Sequence, residues 1–279
     1  MTSSPSRTAP HWKEVGSVLQ LVSRVAPLPD VRAEVEANHD DNRWWPIRVT
    51  DPRMRMAVAG WSTRVSYRMV DTYARVVEEA DRRGFDALVA ASDAELAELV
   101  WPLGLAPSRV AYFRSLTRLW QRWEKEGVDP VAEDADSDVL VQSVAREVYG
   151  ASYKVAQCAV LYARGYHCGI IPVDSGMVTK LAPGLGIDLP SGPVAHERLR
   201  HVLEGTVRIH ADGLRAMVSS LGYQVSVPTS AVPTWWTHLV LIYFKRLYLN
   251  RPSPRLCAQE PFCPQVVDCA HAAAGGGDA

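Results

Sequence analysis

The chain of 279 residues lacks any long apolar run. No window approaches the roughly 18 consecutive apolar residues of a membrane-spanning helix, which excludes a helical membrane anchor. The opening residues, MTSSPSRTAP, also lack the apolar stretch that a secretory signal requires. We therefore expect a cytoplasmic protein with no membrane partner.

A charge excess of either sign is missing as well, since 30 Lys and Arg residues stand against 31 Asp and Glu residues. This balance does not indicate a nucleic-acid-binding protein, but a local basic stripe can follow phosphates on a neutral protein. The hydrophobic fraction of 47% argues against global disorder. The length predicts one or two domains.

Alternation with a period of two residues is rare, whereas helical periodicity runs through most of the chain, which predicts an all-α fold. The segment 64–83 carries an apolar helical stripe. Ser92 and Glu95 have the spacing of a capping box and predict a helix that ends near Trp101. Further helices are predicted from Pro107 onward and over 137–149, 153–164, 193–205, 208–221 and 234–249.

Cysteine is scarce and unevenly spread, with five in the chain. Cys257, Cys263 and Cys269 fall close together near the end of the sequence. In a cytoplasmic chain, such a cluster indicates a metal site rather than a disulfide framework.

The most informative stretch is 149–175, where a turn of small residues, Gly150-Ala151-Ser152, separates two predicted helices. Such a turn allows a partner to approach closely, and the free N–H groups of the second helix suit an anion such as phosphate. Lys154 lies at the start of that helix, and Asp174 follows in the apolar run IIPVDSG.

Two interpretations of Lys154 and Asp174 are open from the residues alone. A lysine amine can form a Schiff base when its surroundings activate it, and a nearby carboxylate can take its proton or stabilise a cation. Alternatively, Lys154 is a solvated surface residue and Asp174 caps the element that follows it.

At this point the chain resembles the endonuclease III-like DNA glycosylases of the HhH-GPD superfamily, over roughly residues 50–270. Residues 148–156, VYGASYKVA, resemble the family's hairpin L-P-G-V-G-R-K-T-A, and 173–176 resemble its V-D-T-H segment. Residues 59–66 resemble its S-A-Q-A-T-D-V-S helix start, and 103–109 resemble its I-G-L-Y-N-S-K-A turn. Residues 239–241 lead towards the cysteines as the family's last helix does.

The resemblance implies a base-excision repair enzyme with glycosylase and AP lyase activity on double-stranded DNA. Lys154 falls on the Schiff-base lysine of the bifunctional members, and Asp174 falls on the aspartate that active members share. The damaged nucleotide would be extruded from the duplex into a pocket. The implied DNA-binding residues are Gly150, Ala151, Ser152 and Trp61, together with Lys245 and Arg246 in a local basic stretch.

The chain departs from the family at several positions. Ser152 replaces the second hairpin glycine, and Trp61 replaces a glutamine that fills the gap left by a flipped base. Trp61 is therefore either an aromatic wedge or a core residue.

The cysteine loop also differs from the family's C-x6-C-x2-C-x5-C pattern, because Val266 stands where the third ligand is expected. The candidate ligands are Cys257, Cys263, Cys269 and His271. A [4Fe–4S] cluster, a tetrahedral zinc site and a loop without metal all stay open.

The expected architecture is two helical lobes with a helix-hairpin-helix motif and a cleft between the lobes, in a monomer. The expected ranges are a flexible tail 1–20, a discontinuous lobe 21–63 and 165–256, a lobe 64–164 that ends in the hairpin, a cysteine loop 257–271 and a flexible tail 272–279.

Two other functions compete with DNA repair. The same fold can serve as a small-molecule enzyme of a specialised biosynthetic pathway that uses a Schiff-base lysine. It can also be a non-catalytic DNA-binding relative, although such a protein needs neither Lys154 nor Asp174.

Overall fold

The computed structural model describes residues 10–44 and 48–250, and every regular element within these ranges is helical, which confirms the all-α prediction. The α-helices are α1 (Trp12–Val25), α2 (Pro29–His39), α3 (Pro52–Trp61), α4 (Val70–Arg83), α5 (Phe85–Ala90), α6 (Asp93–Val100), α7 (Ala106–Glu126), α8 (Ser137–Glu147), α9 (Tyr153–Arg164), α10 (Ala182–Gly184), α11 (Val194–Ile209), α12 (Ala211–Ser220) and α13 (Thr234–Phe244). Short 3-10 turns cover Tyr67–Met69 and Trp101–Leu103, and π-helical segments cover Met177–Leu181 and Lys245–Leu249. Within these residues, no helix combines the length and apolarity that crossing a membrane requires.

The chain divides into two compact units with boundaries that differ from the predicted lobes. Among the described residues, unit 1 comprises 10–40 and 173–250, and unit 2 comprises 41–44 and 48–172. The helix α3, which we expected in the discontinuous lobe, belongs to unit 2 because it packs there on α7 and α9.

The N-terminal tail predicted over residues 1–20 is also shorter than expected, because α1 begins at Trp12. The His11 side chain accepts a hydrogen bond at the start of α1, and the Glu14 carboxylate accepts the His11 N–H at 2.8 Å. This capping box satisfies backbone donors that a helix otherwise leaves open. The predicted cysteine loop 257–271 and tail 272–279 lie outside the described residues.

Unit 2 is built on the close approach of α3 and α7. A Cβ added at Gly60 would come within 2.3 Å of the Tyr112 ring, so only glycine fits there. The Tyr112 hydroxyl donates to the Met56 carbonyl at 2.9 Å, and Phe113 fills the core beside them. Because α9 packs on α3 and α8, the turn before α9 is attached to this core.

In unit 1, α13 is the central helix, and all its residues are buried. It packs against α2, α1 and α11. The indole N–H of Trp235 donates to the His39 carbonyl at 3.0 Å, and the Tyr223 hydroxyl donates to the Ala26 carbonyl at 2.6 Å. These bonds join the two sequence segments of the unit.

Candidate functional site

The turn between α8 and α9 has the conformation that its small residues predict. Gly150 has φ +70°, a left-handed backbone that side chains with a Cβ rarely adopt. Ser152 has φ −71° and is the N-cap of α9, with its hydroxyl accepting from the Val155 N–H at 3.5 Å. The left-handed position therefore falls on Gly150, and a serine at 152 adds a cap without strain.

The same turn is attached to α7. The backbone N–H of Tyr149 donates to the Ser115 hydroxyl at 2.8 Å, while the Tyr149 side chain is 58% exposed. Ala151 is buried, and Ser152 is exposed. The turn is therefore fixed to α7 and exposes its backbone and the Ser152 side chain to solvent.

Lys154 is the second residue of α9 and is half-buried. Among the described residues of unit 2, its ammonium has no hydrogen-bond or ion-pair partner. An amine at the first turn of a helix, close to free N–H groups, is available to an incoming ligand.

Asp174 uses both carboxylate oxygens within unit 1. Its Oδ1 accepts the Met177 N–H at 2.8 Å, which is the cap expected in the second interpretation, and its Oδ2 accepts a hydrogen bond from Lys245 Nζ. The Asp174 side chain is 28% exposed, so part of it is accessible to solvent.

The structure corrects the prediction that Lys245 contacts DNA phosphates. Lys245 is only 4% exposed and pairs with Asp174, because the end of α13 turns this residue into unit 1. A phosphate contact requires an exposed cation. Arg246, the next residue, is half-buried with its guanidinium over the Tyr243 ring at 5.2 Å.

The surroundings of this ion pair are two π-helical segments that contact each other, Met177–Leu181 and Lys245–Leu249. The Lys180 ammonium donates to the Leu249 carbonyl at 3.0 Å. Gly176 leaves room for the buried lysine, since a Cβ there would come within 3.0 Å of Lys245 Nζ. The sequence showed no sign of this cluster, because its two charged residues are far apart in the chain.

Trp61 is a core residue and not an exposed wedge. It is 1% exposed, its indole N–H donates to the Arg109 carbonyl at 3.4 Å, and its ring lies 5.8 Å from that of Phe113. A wedge must reach the base stack. We therefore withdraw Trp61 from the DNA-binding set.

Arg109, which the sequence offered only as part of the 103–109 motif, is 3% exposed and joins two loops of unit 2. Its guanidinium donates to the carbonyls of Trp61, Thr63 (3.1 Å), Leu103 (3.0 Å) and Gly104 (2.7 Å). Burial lowers the pKa of Arg109.

The two loops that Arg109 joins carry the non-glycine residues with positive φ in the described part of the chain, Arg64 (φ 59°) and Leu105 (φ 55°). Arg64 is exposed, and Leu105 is 49% exposed despite its apolar side chain. Strained backbone of this kind persists only where surrounding contacts enforce it and is common at functional sites.

The predicted metal ligands Cys257, Cys263, Cys269 and His271 lie outside the described residues. The iron–sulfur, zinc and metal-free alternatives for this loop therefore stay predictions.

The chain matches no protein-family model, and neither a curated protein nor a solved structure is similar to it. The family resemblance therefore stays a prediction from the sequence motifs.

Proposed function

We propose that this protein removes a damaged base from double-stranded DNA and cleaves the resulting abasic site by β-elimination. The observation that carries the proposal is the turn before α9. Gly150 is left-handed, Ser152 caps the helix, and Lys154 stands in its first turn without a partner in unit 2. We assign residues 148–156 to a helix-hairpin-helix motif, in which the free N–H groups of α9 bind a DNA phosphate.

In the proposed reaction, the lone pair of the Lys154 nitrogen attacks C1′ of the deoxyribose, and the nitrogen loses a proton as the bond forms. The C1′–N bond breaks, and the base leaves with the electron pair and takes up a proton. The C1′–O4′ bond then breaks, and O4′ takes up the remaining proton of the lysine nitrogen, which leaves an open-chain imine. The imine acidifies the C2′ proton, whose removal expels the 3′ phosphate. Water then hydrolyses the imine and regenerates the amine.

Asp174 supplies the carboxylate of this reaction. A negative charge stabilises the cation that develops at C1′ as the base leaves. The partial exposure of the Asp174 side chain supports this role, because a fully buried carboxylate could not approach a sugar.

An exposed apolar side chain on unit 2 supports the proposal that the protein binds a DNA duplex. Leu105 offers an exposed apolar side chain on a loop that Arg109 fixes, and apolar side chains can enter a base step and unstack it. Ser115 on α7 holds the turn near Tyr149, and Arg109 lies six residues earlier on α7, about 9 Å along the helix axis. We assign to Leu105 the wedge that Trp61 cannot provide.

Borohydride trapping on a duplex with an abasic site tests the proposal. The lysines of the chain are Lys13, Lys125, Lys154, Lys180 and Lys245. We expect a covalent adduct with the wild type, a loss of about 100-fold or more in Lys154→Ala, in the range for removal of a catalytic group, and an unchanged yield in Lys125→Ala, which alters an exposed lysine of α7.

The other outcomes separate the competing functions. An adduct that persists in Lys154→Ala rejects Lys154 as the nucleophile. A wild type that binds the duplex but forms no adduct is a DNA-binding relative. A wild type that neither binds nor reacts directs the search to small carbonyl compounds.

A further inference from the structure

We infer that Lys245 is a positioning residue that fixes the Asp174 carboxylate for the reaction. This inference rests on the proposed function and adds to it a residue from α13, distant in sequence from both Lys154 and Asp174. Asp174, Gly176 and Lys245 form a cluster, which we name the positioning cluster.

The burial of Lys245 needs an explanation beyond stability. Moving an ammonium out of water is costly unless a counter-ion and hydrogen bonds compensate. An apolar residue of similar volume often stabilises a protein as well as a buried ion pair does. Lys245 is 4% exposed and contacts the Asp174 carboxylate, which an apolar side chain at this position could not hold in place.

Two hydrogen bonds of Asp174 hold the plane of its carboxylate. The Met177 N–H holds Oδ1 and the Lys245 ammonium holds Oδ2, so rotation about the Cβ–Cγ bond breaks one bond or the other. The exposed part of the side chain then faces solvent in one orientation. A carboxylate that is oriented in advance need not reorganise when charge develops in the transition state.

The backbone around the cluster has the features of a built support. Lys245 is the first residue of one π-helical segment, and Asp174 lies three residues before the other. Such segments are rare in proteins, but those that occur are often at functional sites. Gly176 stands beside the Lys245 side chain, where a Cβ would lie 3.0 Å from Nζ and 3.1 Å from Cδ. Glycine at this position therefore permits the ion pair to close.

A double-mutant cycle on the rate of adduct formation tests the inference. The variants are Lys245→Met, Asp174→Asn and the double variant of the full chain, on an abasic duplex at saturating protein. We expect Lys245→Met to lower the rate at least tenfold with duplex affinity within twofold of the wild type. In the Asp174→Asn background, the same change should have less than a threefold effect, because Lys245 acts through Asp174.

Two further variants control for folding. Lys13→Met removes an exposed lysine of unit 1 and should leave the rate unchanged. Gly176→Ala keeps both charged groups but displaces Lys245 by a few tenths of an ångström, and should lower the rate severalfold with little loss of helical circular dichroism. If Lys245→Met does not fold, the rate of adduct formation by Gly176→Ala tests the positioning role of Lys245.

The results that overturn the inference differ from those that overturn the function. A wild-type rate in Lys245→Met or in Gly176→Ala rejects the positioning role alone. An equal loss in both Asp174 backgrounds also rejects it, because Lys245 would then act independently. Trapping that survives Lys154→Ala but disappears in Lys245→Met would make Lys245 the nucleophile. A wild type that traps no abasic DNA rejects both proposals.

Discussion

Arg109 shows how one buried side chain can determine the shape of a surface. Its guanidinium provides rigid, planar donors to four carbonyls on two loops, residues 61–63 and 103–104. Backbone carbonyls at loop positions otherwise require water or secondary structure. The exposed conformations of Arg64 and Leu105 therefore depend on a residue that solvent hardly reaches.

Replacing Arg109 with methionine should lower the free energy of unfolding by about 3 kcal/mol, because buried acceptors lose donors that no other group replaces. Urea unfolding followed by circular dichroism measures the change. The matched control is Arg118→Met on the exposed face of the same helix, for which we expect less than about 0.5 kcal/mol. Equal effects at the two positions would mean that the four hydrogen bonds contribute little.

Leu105 is expected to show opposite effects on stability and on DNA binding. Glycine tolerates φ 55° without a Cβ penalty, so Leu105→Gly should raise the free energy of unfolding by about 0.5 kcal/mol. The same change removes the proposed wedge and should weaken binding to an abasic duplex severalfold, as measured by fluorescence anisotropy. Arg64→Gly is the control for relief of strain alone. Unchanged binding in Leu105→Gly would remove Leu105 from the DNA interface.

At the scale of the element, Ser152 combines a structural and a proposed binding role. Ser152→Ala should destabilise the protein by up to about 1 kcal/mol because it removes the N-cap of α9, whereas Ser152→Asp should keep the cap. An aspartate at the proposed phosphate site should nevertheless weaken duplex binding through repulsion. Thermal unfolding and a duplex titration distinguish the effects. Full binding by Ser152→Asp would place the phosphates elsewhere.

Helix boundaries follow the sequence where a local cap sets them. The capping box of Ser92 and Glu95 is confirmed at the start of α6, and α9 covers Tyr153–Arg164 as its periodicity predicts. The helix predicted from residue 64 begins instead at Val70. The left-handed Arg64 interrupts the predicted helix. Arg109, from another helix, binds the carbonyls of Trp61 and Thr63 just before it, and no local sequence pattern records that contact.

The candidate site could be predicted only in part from the sequence, because some of its contacts join residues that are far apart in the chain. The turn at Gly150 and the cap at Asp174 are local features and were predictable. The burial of Lys245 was not, because a basic stretch after an apolar helix is usually solvated and its partner lies 71 residues away. Trp61 is a core residue because α7 packs over it, which the sequence of α3 alone does not reveal.

At the scale of the whole molecule, ionisable groups on several helices have lowered pKa values. Burial lowers the pKa of His39 although its hydrogen bond to Asp40 opposes the shift. Burial alone would raise the pKa of Asp40, but hydrogen bonds from His39 and the Ser226 N–H lower it overall. Hydrogen bonds from Arg82 and Arg83 lower the pKa of Glu79 to about 2.

These shifts predict that stability falls with falling pH. A group with a lowered pKa in the folded state binds its proton first in the unfolded chain, so protonation favours unfolding. We expect the first loss below pH 6.5, the ordinary value for His39, and a further loss below about pH 4.5 as carboxyl groups titrate. Urea midpoints between pH 8 and 3 measure this dependence.

The control for this prediction is His39→Gln, which should flatten the upper part of the profile and leave the acidic part in place. A wild-type midpoint that rises from pH 7 to 5.5 would contradict the sign of the His39 shift.

The discontinuous sequence of unit 1 has a consequence for biosynthesis. The hydrogen bonds from Tyr223 to Ala26 and from Trp235 to His39 span 197 and 196 residues. At about 5–20 residues per second, the ribosome reaches α13 roughly 10–40 s after it has made α2. During that interval the apolar faces of α1 and α2 lack their native partner α13, while residues 41–172 are synthesised to completion. The nascent N-terminal helices are therefore the part of this protein most in need of a chaperone.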